Sequence, residues 1–229
     1  RSATQITYDI SRALAKRWGP GDEVVVSRLD HDSNVRPWVQ AAEHVGATVR
    51  WLDIEPGSGE LDLESVDAAI NPATRLVAVT AASNLIGTIP PVAQVADAAH
   101  AVGALVYVDG VHYTAHHLPD PATLGADFYV CSPYKFLGPH CGVLAADPAL
   151  LETIAIDKLL PATNVVPERF EFGTLSYEIM AGATAAVDFL AAIAPGAATT
   201  RRERLASSFA AIDTHETRLR WRLEEGLAA

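Results

Sequence analysis

A lysine in an unusual setting, Lys135, lies in the segment 132–140, which reads SPYKFLGPH. It follows residues 127–131 (DFYVC), an apolar run that predicts a buried strand. Lysine is costly to bury and normally stays in solvent. We therefore expect the stiff turn to bury this amine for a chemical purpose, because a desolvated lysine has a lowered pKa and can form a Schiff base.

Polar side chains also lie at or just past the ends of three other predicted strands. They are His31, Asn84, Asp109 and His112. Ligands of parallel α/β sheets bind beyond the carboxyl ends of the strands, so these side chains are expected to meet Lys135 at one edge of the sheet. Such an edge would combine an amine, a carboxylate, an amide and imidazoles.

An amine and a carboxylate on neighbouring strand ends suit one cofactor, pyridoxal 5'-phosphate (PLP). Lys135 would hold it as a Schiff base, and Asp109 would keep its ring nitrogen protonated so that the ring withdraws electrons from the substrate. The chain has neither the G-x-G-x-x-G motif of dinucleotide-binding folds nor the G-x-x-x-x-G-K-[ST] motif of P-loop enzymes. Taken singly, Lys135 and Asp109 would be ordinary turn residues, and it is their combination that favours catalysis.

Predicted strands and helices alternate along the chain. Strands, most of them continuous apolar runs, are expected at 23–27, 48–52, 76–80, 105–109, 128–131 and 142–145. Helices are expected at 4–18, 34–44 (capped by Ser33), 61–70, 92–102, 121–124, 148–156, 176–193 and 201–229. Strands that are apolar on both faces are typical of a mainly parallel sheet between helices, which predicts an α/β three-layer sandwich.

Composition argues against several classes of function. The 229 residues carry a net charge of -11, so we expect no binding to nucleic acid or to a membrane surface. Two cysteines, Cys131 and Cys141, give no disulfide framework, and no stretch has the length of a transmembrane helix, which favours the cytoplasm. His112, His116 and His117 lack the further ligands of a metal site, so no metal is expected.

Several segments occur in the order typical of one enzyme family. They read DHDSNVRPW (30–38), SNLIGT (83–88), DGVH (109–112), GADF (125–128), SPYKFLGP (132–139) and RFEFGT (169–174). Together they resemble the motifs of class V aminotransferases, a PLP-dependent family of fold type I, and in particular its cysteine desulfurase-like branch. The resemblance implies that the chain contains the large domain of that fold.

The resemblance also implies a role for each matching residue. Lys135, Asp109 and His31 would be the catalytic residues, with His31 stacked on the cofactor ring. The other cofactor-binding residues would be Asn84 and His112 near the ring oxygen, Ser132, Tyr134, Ala3 and Thr4 at the phosphate, and Gly173 and Thr174 at the phosphate of the neighbouring subunit. A small amino-acid substrate would react through an external aldimine, and the chain would form a homodimer with shared sites.

The type of reaction stays open at this point. Transamination, desulfuration or C–S cleavage, and epimerisation share their early steps, and a non-catalytic binding or regulatory protein could keep the same fold. His112 stands where the family often has Gln, Tyr134 stands where His is more usual, and neither cysteine matches the sulfur-accepting one. We expect a large domain at 1–195, and at 196–229 the start of a helix leading to a small domain that this sequence lacks.

Overall fold

The protein is described by a computed structural model that covers residues 1–194 and 196–228. Within these residues, six strands form one sheet in the order β2-β1-β3-β4-β5-β6. The strands are β1 (Glu23–Ser27), β2 (Thr48–Leu52), β3 (Thr74–Thr80), β4 (Leu105–Asp109), β5 (Phe128–Cys131) and β6 (Val143–Ala146). All neighbouring strands are parallel except β5 and β6, so the predicted mainly parallel sheet is confirmed.

Helices connect most of these strands. The α-helices of the described residues are α1 (Ala3–Ala15), α2 (Arg36–Val45), α3 (Leu63–Ala69), α4 (Val92–Ala101), α5 (Tyr113–His116), α6 (Pro148–Glu152), α7 (Tyr177–Ala192) and α8 (Arg201–Ala228). Short 3-10 helices lie at Asp32–Asn34, Pro133–Phe136 and Glu168–Phe170.

Helices pack against apolar side chains on both faces of the sheet, which gives three layers. On one face, Val25, Val77 and Val106 pack with side chains of α3 and α4, among them Val66 and Val95. On the other face, α1 and α2 contribute Ile10, Leu14 and Trp38. The predicted three-layer α/β sandwich is therefore confirmed, and the apolar runs explain it because the inner strands β1, β3, β4 and β5 are covered on both sides.

An aromatic cluster fixes α2 and α1 to the centre of the sheet. The rings of Trp38 and Tyr107 lie 4.9 Å apart edge to face, and Tyr107 lies 5.9 Å from Phe128. The Tyr107 hydroxyl also lies 3.0 Å from Thr7 Oγ1 on α1. All four side chains are buried, so the amino-terminal end of α1 is held in a defined place beside the sheet.

Three expectations about helices were wrong. Residues 121–124 form turns instead of a helix, because Asp120 caps a single turn that Gly125 ends with φ 68°. The helix between β4 and β5 is instead α5 (Tyr113–His116). The helix expected at 148–156 ends at Glu152. Ser33 does not cap α2, since its N–H and hydroxyl both bind the His31 ring and α2 begins at Arg36.

The strand order reverses direction between β1 and β3. From β1 the chain crosses to β2 on one side, and from β3 onward it proceeds to β4, β5 and β6 on the other side. The segments that follow β1 and β3 therefore diverge and leave a crevice at the carboxyl ends of the strands. In open α/β sheets this is the usual place for a ligand.

Candidate active site

One cavity of about 190 Å³ lies at this reversal point of the sheet. It brings together nine of the eleven residues that the sequence predicts as site residues. They are Ala3, Thr4, His31, Asn84, Asp109, His112, Ser132, Tyr134 and Lys135. The other lining residues are Ser2, Ser33, Thr80, Ala82 and Val111.

Asp109 forms the buried wall of the cavity. It is the last residue of β4, lies in register with Thr80 and Val130 on the neighbouring strands, and is 6% exposed. Its Oδ1 accepts a hydrogen bond of 2.9 Å from the Val111 N–H, whereas Oδ2 has no hydrogen-bond partner among the described residues. Burial raises the pKa of Asp109, and the Val111 N–H, His31 and Lys135 offset part of that increase.

Gly110 makes the tight turn after Asp109 possible. A Cβ atom at this position would lie 2.0 Å from Cζ of Tyr129, so any side chain would collide with the buried ring. The Thr114 hydroxyl lies 2.8 Å from the hydroxyl of the same Tyr129, which holds the ring in place. The absence of a side chain at Gly110 therefore lets the backbone turn directly into the cavity wall.

Lys135 is exposed, and the expectation that its amine is buried was wrong. It lies on the 3-10 helix Pro133–Phe136, whose first and last residues are buried while Tyr134 and Lys135 point outward between them. Nζ lies 5.4 Å from the centroid of the Tyr134 ring, and that ring stacks on His140 at 4.9 Å. The Lys135 N–H donates to the Ser132 carbonyl at 2.9 Å, whereas Nζ forms no hydrogen bond or ion pair with the described residues, so the amine is available to a ligand.

The turn that carries Lys135 depends on a close backbone contact. A Cβ atom at Gly138 would lie 2.8 Å from Cβ of Pro133 and 3.0 Å from its carbonyl oxygen. The Gly138 N–H donates to the same carbonyl at 2.8 Å. Leu137 takes the left-handed conformation with φ 69° to close the turn, which fixes the path of the chain on either side of Lys135.

His31 lines the same cavity as Asp109, and its ring is held in place by Ser33. Its Nδ1 accepts a hydrogen bond of 3.1 Å from the Ser33 N–H, and the Ser33 hydroxyl lies 2.8 Å from the same atom. A ring nitrogen that accepts from a backbone N–H carries no proton, so the proton of a neutral His31 ring belongs on Nε2.

The amino-terminal end of α1 forms the side of the cavity opposite the sheet. Ser2 caps the helix by accepting a hydrogen bond of 3.2 Å from the Gln5 N–H, while Ala3 and Thr4 supply the first N–H groups. Ser132, at the end of β5, lines the same cavity and is 4% exposed. Free N–H groups, the helix dipole and a hydroxyl together suit an anion such as phosphate.

Gly142 holds the amino-terminal end of α1 against the sheet. Its N–H donates to the Arg1 carbonyl at 2.6 Å, and a Cβ atom there would lie 2.6 Å from the backbone nitrogen of Ala3. The position therefore excludes any side chain unless α1 moves.

His112 also lines the cavity and is half-buried. Burial lowers the pKa of His112, and the nearby His116 and Lys135 lower it further, so the imidazole is neutral at pH 7. A neutral imidazole can donate one hydrogen bond and accept another, as contact with a ring oxygen requires.

Gly173 and Thr174 do not line this cavity. Both are exposed in the segment between the 3-10 helix Glu168–Phe170 and α7. Arg1 contacts this segment, since its guanidinium lies 3.9 Å from the Phe172 ring centroid and 3.6 Å from the Glu171 carboxylate.

Thr80 and Asp30 are site features that the sequence did not single out. Thr80 lines the cavity and its hydroxyl donates to the Ala82 carbonyl at 2.7 Å, which shapes the start of the Asn84 loop. Asp30, which begins the segment 30–38, joins the ends of β1 and β3 by accepting hydrogen bonds from Ser27 and Thr80. The sequence signal that could have identified Asp30 as a site residue is its position directly before His31, in a segment that follows a strand.

The remaining candidate groups lie outside the cavity. Burial raises the pKa of the Cys131 thiol to about 12, and burial also raises that of Cys141, so both are protonated at pH 7. Among residues 1–194 and 196–228 there is no cluster of three or more potential metal ligands. No helix in that part of the chain is long and apolar enough to cross a membrane.

Comparison with known proteins points to one family. The sequence profile described as "Aminotransferase class-V" matches residues 1–221. The chain is 34% identical over 212 residues to "Uncharacterized protein MT3887" of Mycobacterium tuberculosis (strain CDC 1551 / Oshkosh), covering 92% of this chain and 53% of that protein. It is 38% identical over 195 residues to a cysteine desulfurase of Klebsiella pneumoniae subsp. pneumoniae, covering 77% of this chain and 48% of that protein.

Solved structures show the same relationship. The apo structure of cysteine desulfurase from Thermococcus onnurineus NA1 superposes with a TM-score of 0.83 and 25% identity, covering 99% of this chain and 56% of that one. The chain spans about half the length of the curated relatives it matches. With the cavity at the strand ends, these similarities show that the chain belongs to the class V aminotransferases, a PLP-dependent family that includes the cysteine desulfurases.

Proposed function

We propose that this chain is the PLP-binding part of an enzyme that acts on a small amino acid, with the transferase or lyase chemistry of class V aminotransferases and cysteine desulfurases. The observation that carries this proposal is the cavity that Lys135 and Asp109 line together. The names of the relatives support the class of chemistry, and they include cysteine desulfurase and aminotransferase-like protein.

The buried carboxyl group of Asp109 suits the ring nitrogen of PLP. Its Oδ2 lacks a hydrogen-bond donor among the described residues, and its raised pKa means that the ionised form is undercompensated. A protonated pyridine nitrogen would supply both the donor and the positive charge. The residues present therefore fit this end of the cofactor.

Lys135 suits the aldehyde group of PLP because its amine is not engaged elsewhere. The chain has three lysines. Lys16 Nζ donates to the Ala155 carbonyl at 2.7 Å and pairs with Asp157, and Lys158 Nζ donates to the Ala162 carbonyl at 2.8 Å. Lys135 is thus the lysine that both lines the cavity and keeps its amine unengaged.

The amino-terminal end of α1, with Ser132 and Tyr134, would hold the phosphate. Ala3 and Thr4 present backbone N–H groups at the start of a 13-residue helix, where an anion is favoured. Tyr134 lines the same cavity, and its ring stacks on His140. The cavity would therefore hold the three functional parts of PLP on three different elements.

In the proposed reaction each protein group has a defined task. Bound PLP withdraws electrons from the α-carbon of an attached amino acid. Asp109 would keep a proton on the ring nitrogen, His31 would shield the ring from water, and His112 with Asn84 would hydrogen-bond the ring oxygen. Lys135 Nζ would remove the α-proton and return a proton to the product.

We also propose that the active assembly is a homodimer with shared sites. Gly173 and Thr174 are exposed outside their own cavity, and the Arg1 contacts with Glu171 and Phe172 hold the segment in a fixed position. A segment presented outward in this way can contribute N–H and hydroxyl groups to the phosphate of a second copy.

Absorbance with PLP tests the proposal. After unbound PLP is removed by gel filtration, the wild-type chain and the Lys158→Ala control should both retain a visible band that changes when an amino acid such as l-cysteine or l-alanine is added. Lys135→Ala should show no such band, although it should still fold because it keeps the backbone hydrogen bond to Ser132 and loses only the exposed contact with the Tyr134 ring. A band that persists in Lys135→Ala would refute the assignment.

A further inference from the structure

Asp30 lies behind His31 at the point where two strands of the sheet end. Its Oδ2 accepts a hydrogen bond of 3.0 Å from the Thr80 N–H, at the end of β3, and another from the Ser27 hydroxyl, at the end of β1. Its Oδ1 accepts a hydrogen bond of 2.7 Å from Asn34 Nδ2. One carboxyl group therefore ties together two strands and the 3-10 helix Asp32–Asn34.

The partners of Asp30 are themselves fixed. Ser27 and Asn34 are fully buried, and Thr80 is 5% exposed. Asn34 Oδ1 in turn accepts a hydrogen bond of 3.0 Å from the indole N–H of Trp38, which is also fully buried. The chain of contacts from Trp38 through Asn34 to Asp30 thus anchors the 3-10 helix to the aromatic cluster of the core.

His31 depends on that 3-10 helix for its orientation. The ring accepts from the Ser33 N–H, and the Asn34 N–H donates to the His31 carbonyl at 2.8 Å. Without the hydrogen bond from Asn34 Nδ2 to Asp30, the backbone that carries the Ser33 N–H is no longer fixed. The direction of the His31 ring and the location of its proton on Nε2 would then be lost together.

Asp30 is half-buried, and hydrogen bonds from Ser27, Asn34 and Thr80 hold it in place. It forms no ion pair within residues 1–194 and 196–228, and the charged group that acts on it is the carboxylate of Asp109. The three hydrogen bonds offset the cost of placing this carboxyl group next to a second acid, and they fix its position between β1, β3 and the 3-10 helix Asp32–Asn34.

We propose that Asp30 is a positioning residue that fixes the tautomer and orientation of His31 over the cofactor cavity. The proposal rests on the proposed function for the purpose of His31, but the orientation itself is a property of the protein without cofactor.

Imidazole ¹⁵N NMR of the protein without PLP tests the positioning directly. In the wild type, His31 should give the pattern of a single neutral tautomer with the proton on Nε2. Asp30→Asn replaces an acceptor with a donor facing the Thr80 N–H, so the His31 signals should shift toward those of free histidine. Ser27→Ala, which removes one of the three hydrogen bonds, should give a smaller shift and remain folded if the Asp30 variant does not.

Asp32→Asn is the matched control. Asp32 lies on the same 3-10 helix but is exposed and pairs at 3.4 Å with Arg36 on the surface, so its removal should leave the His31 signals unchanged. In a PLP titration, Asp30→Asn should weaken binding about fivefold, the equivalent of one buried hydrogen bond. Unchanged His31 signals in Asp30→Asn and Ser27→Ala would overturn the inference, whereas a wild type that binds no PLP would overturn only the proposed function.

Discussion

Asp109 shows at the scale of a single residue how burial and chemistry are related. The carboxyl group has one satisfied and one open oxygen at the floor of the cavity, and burial raises its pKa. A group in this state is a poor stabiliser of the free protein, because ionising it costs free energy. It is well suited to a ligand that brings a proton and a positive charge to Oδ2.

Replacing Asp109 with Asn should separate stability from chemistry. The amide keeps an oxygen for the Val111 N–H and carries no charge, so the free energy of unfolding should stay equal or rise. Loss of the charge at the ring nitrogen should slow exchange of the α-proton of l-alanine or l-cysteine in D₂O roughly 10²-fold, a typical loss for one electrostatic contact. NMR of the exchange and urea unfolding are the two measurements, and an unchanged exchange rate would count against the assigned role.

The composition of the site was largely predictable residue by residue, but its exposure was not. His31, Asn84, Asp109 and Lys135 could be found because each follows an apolar strand run. The exposure of Lys135 could not be foreseen, because it depends on which residues of the short 3-10 helix turn inward, and periodicity over four residues does not decide this. The role of Asp30 depends on Thr80, 50 residues away, and no local pattern records that contact.

Elements differed in how well the sequence predicted them. Four strands have the predicted bounds, because short β-branched runs between turns leave little choice of register. The antiparallel direction of β6 and the existence of α5 follow from tertiary packing, and neither has a signature in the local sequence. The role of α1 as an anion-binding element was predicted from the resemblance and stays a prediction.

The contact between Gly142 and the start of α1 offers a test at the scale of elements. Gly142→Ala should push α1 away from the sheet, since its Cβ would lie 2.6 Å from the Ala3 nitrogen and 2.7 Å from the Ser2 carbonyl carbon. We expect a loss of about 1–3 kcal/mol in the free energy of unfolding and a weaker PLP affinity. Gly57→Ala is the control because nothing lies within 4 Å of its Cβ position. Equal PLP affinity in the two variants would separate Gly142 from the phosphate site.

For the whole molecule, the two acids at the sheet edge link folding to pH. Burial raises the pKa of Asp30 to about 7, with Asp109 adding to the increase and the hydrogen bonds from Ser27, Asn34 and Thr80 opposing it. In the unfolded chain this group titrates near its ordinary value of 3.8. Between these pH values the folded state therefore binds a proton that the unfolded state has released, and stability due to Asp30 decreases as the pH rises through 7.

The comparison of wild type with Asp30→Asn isolates this contribution. The free energy of unfolding of the wild type should fall by on the order of 2 kcal/mol relative to that of Asp30→Asn when the pH is raised from 5 to 8, because the variant has no carboxyl group to ionise. Urea midpoints at the two pH values measure this change. Asp32→Asn, whose carboxyl group is exposed, should show no such dependence, and a constant difference between wild type and Asp30→Asn would refute the coupling.

Reduction of the PLP-loaded chain with borohydride, followed by peptide mass mapping, tests the central claim most directly. Because the chain has only three lysines, a label on a lysine side chain has three possible positions. The account predicts that the reduced cofactor adduct lies on Lys135, in the peptide that also contains Tyr134 and Phe136. A label on Lys16 or Lys158, or an unlabelled chain, would contradict it.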